Sequence, residues 1–325
     1  VKILFTSTHE TSFIREDLRI LQSFSTVKHL IASGIMTVPR ILAGVARADL
    51  TYTWFASTYA FVVVLAARIL RRGAIIVVGG VDAARLPAIG YGIWTSRWRV
   101  PLVRFAVTRA DAVLVVDDTL RENLVHLADY KGENITVVPT GYDAAWWCPG
   151  PSARRTDVLT VAACDTRERL EVKGVPWLLR VASTMTDVGF SIVGLGDEAK
   201  RMVQPLLSPN VRLGGPLSSQ ALRDAYRDAK VICVPSVFEG LPNSLCEGML
   251  CGCIPVATYA GGAPQAVGET GFLVKNGDSA GLERSLRMAL DLPEERRTYP
   301  RDRVAGLFPA AKREEALRRI IGAMQ

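Results

Sequence analysis

Short runs of β-branched and aliphatic residues alternate along the chain with longer segments of helical period. In the first half VKILFTS, TVKHLI, DLTYTW, AIIVVGG, DAVLVV and ITVVP read as strands. Helical patterns lie between them near 12–22, 38–48, 56–71, 97–109 and 119–128. Strands that are apolar nearly from end to end are buried on both faces, which requires a parallel sheet covered by helices on each side. The segment YDAAWWCPGPSARRTD, rich in Pro, Gly and polar residues, reads as a linker, and the pattern restarts after it. VLTVAA, FSIVG, VRLGG, VICVPS, IPVAT and GFLVK are the second set of strands, with helices near 175–186, 218–229, 243–251 and 279–290. AAKREEALRRIIGAM closes the chain as an amphipathic helix. The expected class is α/β: two tandem Rossmann-like domains, 1–148 and 149–305, facing each other across a cleft, with helix 306–325 packing back on the first. At 325 residues each domain can bury its own core. In open sheets of this kind ligands collect at the carboxyl ends of the strands, beside helix N-termini.

Composition narrows the class. The chain is 49% hydrophobic and 22% charged, without low-complexity tracts. Its longest apolar run, YAFVVVLAARIL, falls short of the roughly 20 residues that span a bilayer and reads as a buried helix. The opening VKILFTSTHE is a strand followed by polar residues, unlike a signal peptide. Six cysteines, mostly in apolar segments and without Cys-x-x-Cys spacing, read as buried thiols of a reducing compartment, so a cytoplasmic location is expected. The net charge is +7. From 62 to 110 eight arginines face one acid, Asp82, and YGIWTSRWRVPLVRFAVTR interleaves Trp94, Trp98 and Phe105 with four of them. Such a stretch suits an anionic membrane surface, an anionic substrate or nucleic acid. It also describes a solvated helix face with tryptophan packed inward.

Four pieces carry candidate chemistry. In RERLEVKGV, Arg167, Arg169 and Lys173 lie just upstream of a helix, where cations could hold a diphosphate. In IVGLGDEA, Gly194 and Gly196 follow a strand and allow close backbone approach, although a Gly-x-Gly turn is often only tight geometry. FEGLPNSLCEGMLCGCIPV places Glu239 and Glu247 on either side of a strand-to-helix junction. Glu247 fits a capping box with Ser244. Glu239 has no such structural duty; a carboxylate there could accept bonds from sugar hydroxyls, and helix-start amides could meet phosphate. TYAGGAPQAVGETGFLV adds a flexible loop beside this piece. No two aspartates are separated by one residue, so an Asp-x-Asp metal clamp on a nucleotide diphosphate is missing. No metal is expected, and neutralising a diphosphate would fall to Lys173, the arginines and helix dipoles.

Taken in order, these motifs resemble the family 4 retaining glycosyltransferases of the GT-B fold, most specifically over about residues 158–290, where Glu239 and Glu247 reproduce an E-x7-E spacing. TSFIREDLRIL is similar to the start of shorter, archaeal-like members, and VVPTGYD corresponds to the segment before the interdomain linker, with Thr140 where Asn is common. One departure stands in VVGGVDAA: Gly79 occupies the place of the His in a His-Gly-x-Asp motif, while Asp82 keeps the acid. The resemblance implies that Lys173, with Arg169 or Arg167, stabilises the leaving nucleoside diphosphate. It implies that Glu239 contacts the donor sugar, Glu247 the ribose, and the amides of Gly240, Leu241, Pro242–Asn243 and Ser244 the sugar and phosphate. Gly194 and Gly196 would floor the nucleotide, main chain from Gly215 would meet the base, and Asp82 would lie near the donor sugar.

The reading is transfer of a sugar from a UDP-, GDP- or ADP-sugar to a glycan, lipid-linked or small-molecule acceptor, with retention of configuration, without metal or other cofactor. A peripheral position on the cytoplasmic membrane face is expected, and no nucleic-acid partner. The rivals are a GT-B sugar-nucleotide epimerase, which needs no acceptor, and a non-catalytic basic module for membrane or nucleic acid. The basic module would leave the two glutamates unexplained. A glycan phosphorylase needs a longer chain, and a dehydrogenase needs a Gly-x-Gly-x-x-Gly that does not follow the first strand.

Overall fold

The computed structural model describes residues 1–150 and 156–324. The chain divides into two compact units, one formed by Val1–Gly141 with the chain from Ala310 onward, the other by Tyr142–Pro309. The first unit runs β1 (Lys2–Ser7), α1 (Ser12–Gln22), β2 (Thr26–Ile31), α2 (Val38–Arg47), β3 (Leu50–Trp54), α3 (Thr58–Ile69), β4 (Gly73–Val78), α4 (Val100–Arg109), β5 (Ala112–Val115), α5 (Asp118–Ala128) and β6 (Ile135–Val137). Its six strands lie in the order β2-β1-β3-β4-β5-β6, all parallel. The central β3, β4 and β5 are buried throughout, apart from half-buried Gly73 at the start of β4, which is why β4 and β5 show no alternation; in β3 Thr51 and Thr53 alternate with apolar residues but are buried with them.

The second unit repeats the plan. It runs β7 (Thr156–Cys164), α6 (Arg167–Val172), α7 (Val175–Ala182), β8 (Phe190–Leu195), α8 (Asp197–Val203), β9 (Val211–Leu213), α9 (Ser219–Asp228), β10 (Ala229–Val234), α10 (Asn243–Leu250), β11 (Ile254–Thr258), α11 (Ala263–Val267), β12 (Phe272–Val274), α12 (Ser279–Leu290) and α13 (Thr298–Leu307). The strand order is β12-β11-β10-β7-β8-β9, again all parallel. Corresponding positions use the same device. Asn134, before β6, donates its amide to the carbonyls ending α4, and Asn210, before β9, does so for α7 and the turn after it.

The chain then returns to the first unit as α14 (Ala310–Gly322), whose Arg313 forms a buried ion pair with Asp17 of α1. Tyr52 and Trp54 donate to the same carboxylate, and the guanidinium also reaches the carbonyls of Val138 and Pro139. Both charges are thus fully hydrogen-bonded, the condition under which burial is tolerated.

The boundaries differ from those read in the sequence. The units part after Gly141 and after Pro309, not at 148 and 305. Residues 144–148 of the expected linker are fastened to the second unit: Arg301 donates to the carbonyls of Ala144, Trp147 and Leu250, and Arg227 to that of Cys148. Positions 151–155 of that linker lie outside the described residues. The apolar run around α3 is also not wholly interior, since Leu65, Ile69 and Leu70 are exposed.

Candidate functional site

Because every strand of the second sheet runs the same way, the loops after β7, β8, β10 and β11 share one edge. Thr166 caps α6, its hydroxyl accepting from the amide of Arg169. The helix ends at Lys173, and Gly174 follows with φ +68°, where any side chain would run into the carbonyl of Pro235. The amide of Val237 donates to the carbonyl of Val172 at 2.7 Å, drawing the β10–α10 loop onto the end of α6. These constraints set Lys173 opposite Glu239, with Nζ to Oε1 at 2.6 Å and the side chains 29% and 12% exposed. Two groups that are 66 positions apart in sequence meet in a partly desolvated ion pair.

Arg169 lies one helical turn before Lys173, exposed, its guanidinium 3.4 Å from the carbonyl of Ala163. Burial pushes the Cys164 thiol up to about 11, against the pull of Lys173 and Arg169. Both cations therefore stand near Cys164 at the carboxyl end of β7.

Two glycines after β11 support Glu239 from below. Gly262 donates its amide to the carbonyl of Gly240 at 2.8 Å, and at Gly261, with φ +53°, a side chain would collide with the carbonyls of Glu239 and Gly240. The turn Gly240–Leu241–Pro242 leads directly into α10, where Leu245 and Cys246 donate back to Pro242. The amides of Asn243 and Ser244, at the helix start, have no intrahelical acceptor to meet. Gly248 lets α10 lie on β10, since an added Cβ would be 3.0 Å from Ile232. The side chain of Asn243 accepts from the Tyr142 hydroxyl at 2.7 Å, a contact between residues 101 apart that nothing in the sequence signals.

Glu247 differs from Glu239. It is buried, and its Oε2 accepts from the Tyr226 hydroxyl at 3.0 Å. The capping-box reading fails, because Pro242 occupies the cap position and Ser244 already lies inside the helix. Tyr226 in turn packs edge-on against Trp147.

Gly194, Gly196 and Gly215 come together at the adjoining ends of β7, β8 and β9. Gly194 has φ +94°, and a side chain would press on the carbonyl of Ala162 at 2.8 Å. Its amide donates to the Gly215 carbonyl at 3.0 Å, and that of Gly196 to Cys164 at 2.8 Å. Lys200 of α8, which the sequence reading passed over, brings Nζ to 3.4 Å from the position a Cβ on Gly215 would take. A lysine three residues after the Gly-Asp pair, in the last turn of a short helix, was the available signal.

Asp82 requires a correction. In the first unit its carboxylate is buried and accepts the amides of Gly79, Gly80 and Ala56, while Trp94 Nε1 donates to its main-chain carbonyl. Burial raises its carboxyl from 3.8 to about 6, with the amide bonds opposing. Asp82 locks the loops after β3 and β4 together and does not present its side chain to a ligand. At Gly79 an added Cβ would lie 3.1 Å from Phe55 and 3.2 Å from Trp54, so the aromatic pair fills the space a side chain would need. His9 stacks on Phe55 at 5.3 Å. All six cysteines are free thiols. Among the described residues no group of three or more His, Cys, Asp or Glu could hold a metal ion, and no helix is long and apolar enough to cross a membrane.

Residues 156–291 match the family model described as glycosyl transferases group 1. The chain is 28% identical over 220 residues to the MMP alpha-(1->4)-mannosyltransferase of Mycolicibacterium hassiacum, covering 62% of this chain and 53% of the relative. It is 30% identical over 192 residues to the D-inositol 3-phosphate glycosyltransferase of Mycobacterium sp. strain JLS, covering 53% and 43%. The matches thus span about half the length of these curated relatives. Among solved structures, Anabaena HepE in complex with UDP-glucose superposes over 99% of both chains with a TM-score of 0.81 at 16% identity. Sucrose-phosphate synthase from Thermosynechococcus elongatus superposes over 99% of both with a TM-score of 0.77, also at 16%. These likenesses establish the GT-B fold for the whole chain.

Proposed function

We propose, on the premise that residues 156–291 belong to the glycosyl transferases group 1 family, that the protein transfers a sugar from a nucleoside-diphosphate sugar to an acceptor hydroxyl with retention of configuration and without metal. The observation that carries the reading is the Lys173–Glu239 pair at 2.6 Å, held where α6, the β10–α10 loop and the Gly261–Gly262 turn converge. A relative named as a mannosyltransferase and a fold neighbour in complex with UDP-glucose support a sugar nucleotide as the donor class.

In this scheme the diphosphate enters between Lys173, Arg169 and the amides at the start of α10, exchanging water for charge-assisted hydrogen bonds. As the bond from the anomeric carbon to the diphosphate oxygen breaks, negative charge grows on the leaving oxygen and positive charge on the sugar. Lys173 and Arg169 stabilise the first, and Glu239, aimed at the sugar, the second. The acceptor hydroxyl attacks from the face the diphosphate leaves and gives it its proton. Glu247, backed by Tyr226, holds the ribose, while Gly194, Gly196 and Gly215 let the nucleotide lie on main chain. Asp82 acts on the first unit's loops and not on the sugar. The first unit, whose stretch 62–110 holds one acid, takes a glycan or lipid-linked acceptor beside a membrane.

A panel of UDP-, GDP- and ADP-sugars in thermal-shift measurements, with and without EDTA, tests the donor class. One family should raise the melting temperature in proportion to the logarithm of its concentration, unaffected by the chelator. Proton NMR of the product then reads the anomeric configuration. An inverted product, or stabilisation only with a divalent ion, refutes the scheme.

A further inference from the structure

Helices α2, α3 and α4 form one row: α2 packs on α3 and α3 on α4, with Phe61 and Phe105 meeting edge-to-face at 5.2 Å. A helix in such an outer layer normally presents a polar stripe to water. α3, TYAFVVVLAARI, has one charged residue, Arg68, and exposes Leu65 and Ile69 instead. On its flanks the turn before α2 presents Ile35 and Met36, 83% and 81% exposed, and the turn before α4 presents Trp98, 62% exposed. Leu42 continues the apolar surface along α2.

The stretch of chain that builds this row carries charge of almost one sign. From 32 to 110 there are ten arginines and two acids, Asp49 and Asp82. Asp82 is buried, and Asp49 accepts the main-chain amide of Lys2. Nine of the ten arginines are exposed, and Arg99 lies over the Trp98 ring at 5.1 Å. Trp94, which the sequence alone grouped with Trp98, is buried on the Asp82 carbonyl and takes no part.

We propose that the outer face of the α2–α3–α4 row docks on an anionic phospholipid bilayer, with Ile35, Met36 and Trp98 entering the headgroup boundary and the arginines pairing with lipid phosphates. An apolar surface rimmed by cations fits that phase, because burial of side chains and attraction to anionic lipid add. Two copies of this face would oppose their arginines. A nucleic-acid backbone would pair with the arginines but leave Ile35 and Met36 in water. The inference rests on the reading of the first unit as the acceptor unit beside a membrane, and it specifies the surface and the partner.

The test is co-sedimentation of the full chain, without sugar nucleotide, with vesicles of phosphatidylcholine alone and of phosphatidylcholine with phosphatidylglycerol. The wild type should bind only the mixed vesicles, and more weakly as salt rises. The double variant Ile35→Asp/Met36→Asp should lose binding by about tenfold or more. Arg97→Ser and Arg99→Ser should each lose roughly fivefold. All three should keep the wild-type melting temperature and its shift with donor. Unchanged binding in the Ile35→Asp/Met36→Asp variant overturns the proposal. So does binding to an oligonucleotide in place of vesicles, or a dimer that the double variant splits. Vesicle binding together with absent sugar transfer would refute the catalytic scheme and leave the docking face standing.

Discussion

Replacing Lys173 by alanine separates two consequences of one contact. The ammonium meets Glu239 at 2.6 Å, and its removal leaves a carboxylate only 12% exposed without its partner. A hydrogen bond between charged groups contributes about 1.5–3 kcal/mol, and the 29% exposure of Lys173 discounts this to about 1–2 kcal/mol. For a unit of this size that is a fall of roughly 2–8 °C in melting temperature. The effect on transfer is larger. Taking away a cation aimed at the leaving diphosphate costs about 100- to 1,000-fold in rate, or about 2.7–4 kcal/mol. A double-mutant cycle with Glu239→Gln reads both quantities. Denaturant unfolding should show a coupling of about 1 kcal/mol, and transfer assayed at saturating donor should show losses that are less than additive. Transfer within tenfold of wild type in Lys173→Ala, or additive losses in both measurements, would refute the assignment of this pair to the reacting centre.

The buried network in the first unit should be more sensitive still. Arg313→Leu leaves Asp17 charged and enclosed with Tyr52 and Trp54, and should cost about 3–5 kcal/mol of unfolding free energy in urea titrations. Asp82 gives a pH signature. Its folded carboxyl is raised to about 6 from an ordinary 3.8, so the folded state binds the extra proton and this contribution is lost as pH rises from about 4 to 6. The loss is roughly 3 kcal/mol, and Asp82→Ser should flatten that part of the stability–pH curve measured by chemical denaturation.

The strands were legible in the sequence because β4, β5 and most of β10 and β11 are buried on both faces and leave apolar runs, while β3 adds β-branched and aromatic residues. α6, six residues long, was not, since so short a helix shows barely two turns of periodicity, and α8, seven residues long, was marked only by the glycines before it. The resemblance assigned Lys173 and Glu239 to one donor site, but their direct ion pair had no signal in the sequence. The contact of Asn243 with Tyr142 and the burial of Asp82 depend on tertiary packing that no local spacing records. The range 243–251 read for α10 begins where the helix does, but its cap is Pro242, two residues before Ser244, which makes Ser244 an interior position. The polar look of 142–150 suggested a free connector. Arg227 and Arg301, far along the chain, hold it down instead.

The return of the chain as α14 makes the second unit an insertion into the first. A fragment spanning Tyr142–Pro309 is a continuous gene segment, whereas truncation at Gly141 would strip Asp17 of Arg313 and leave a gap in the remaining half. Gly141 packs directly on Ala310, with an added Cβ 2.8 Å from its Cα. A few residues joining those two positions would therefore close the shorter half into a continuous polypeptide, and a foreign module could be spliced in at the same seam.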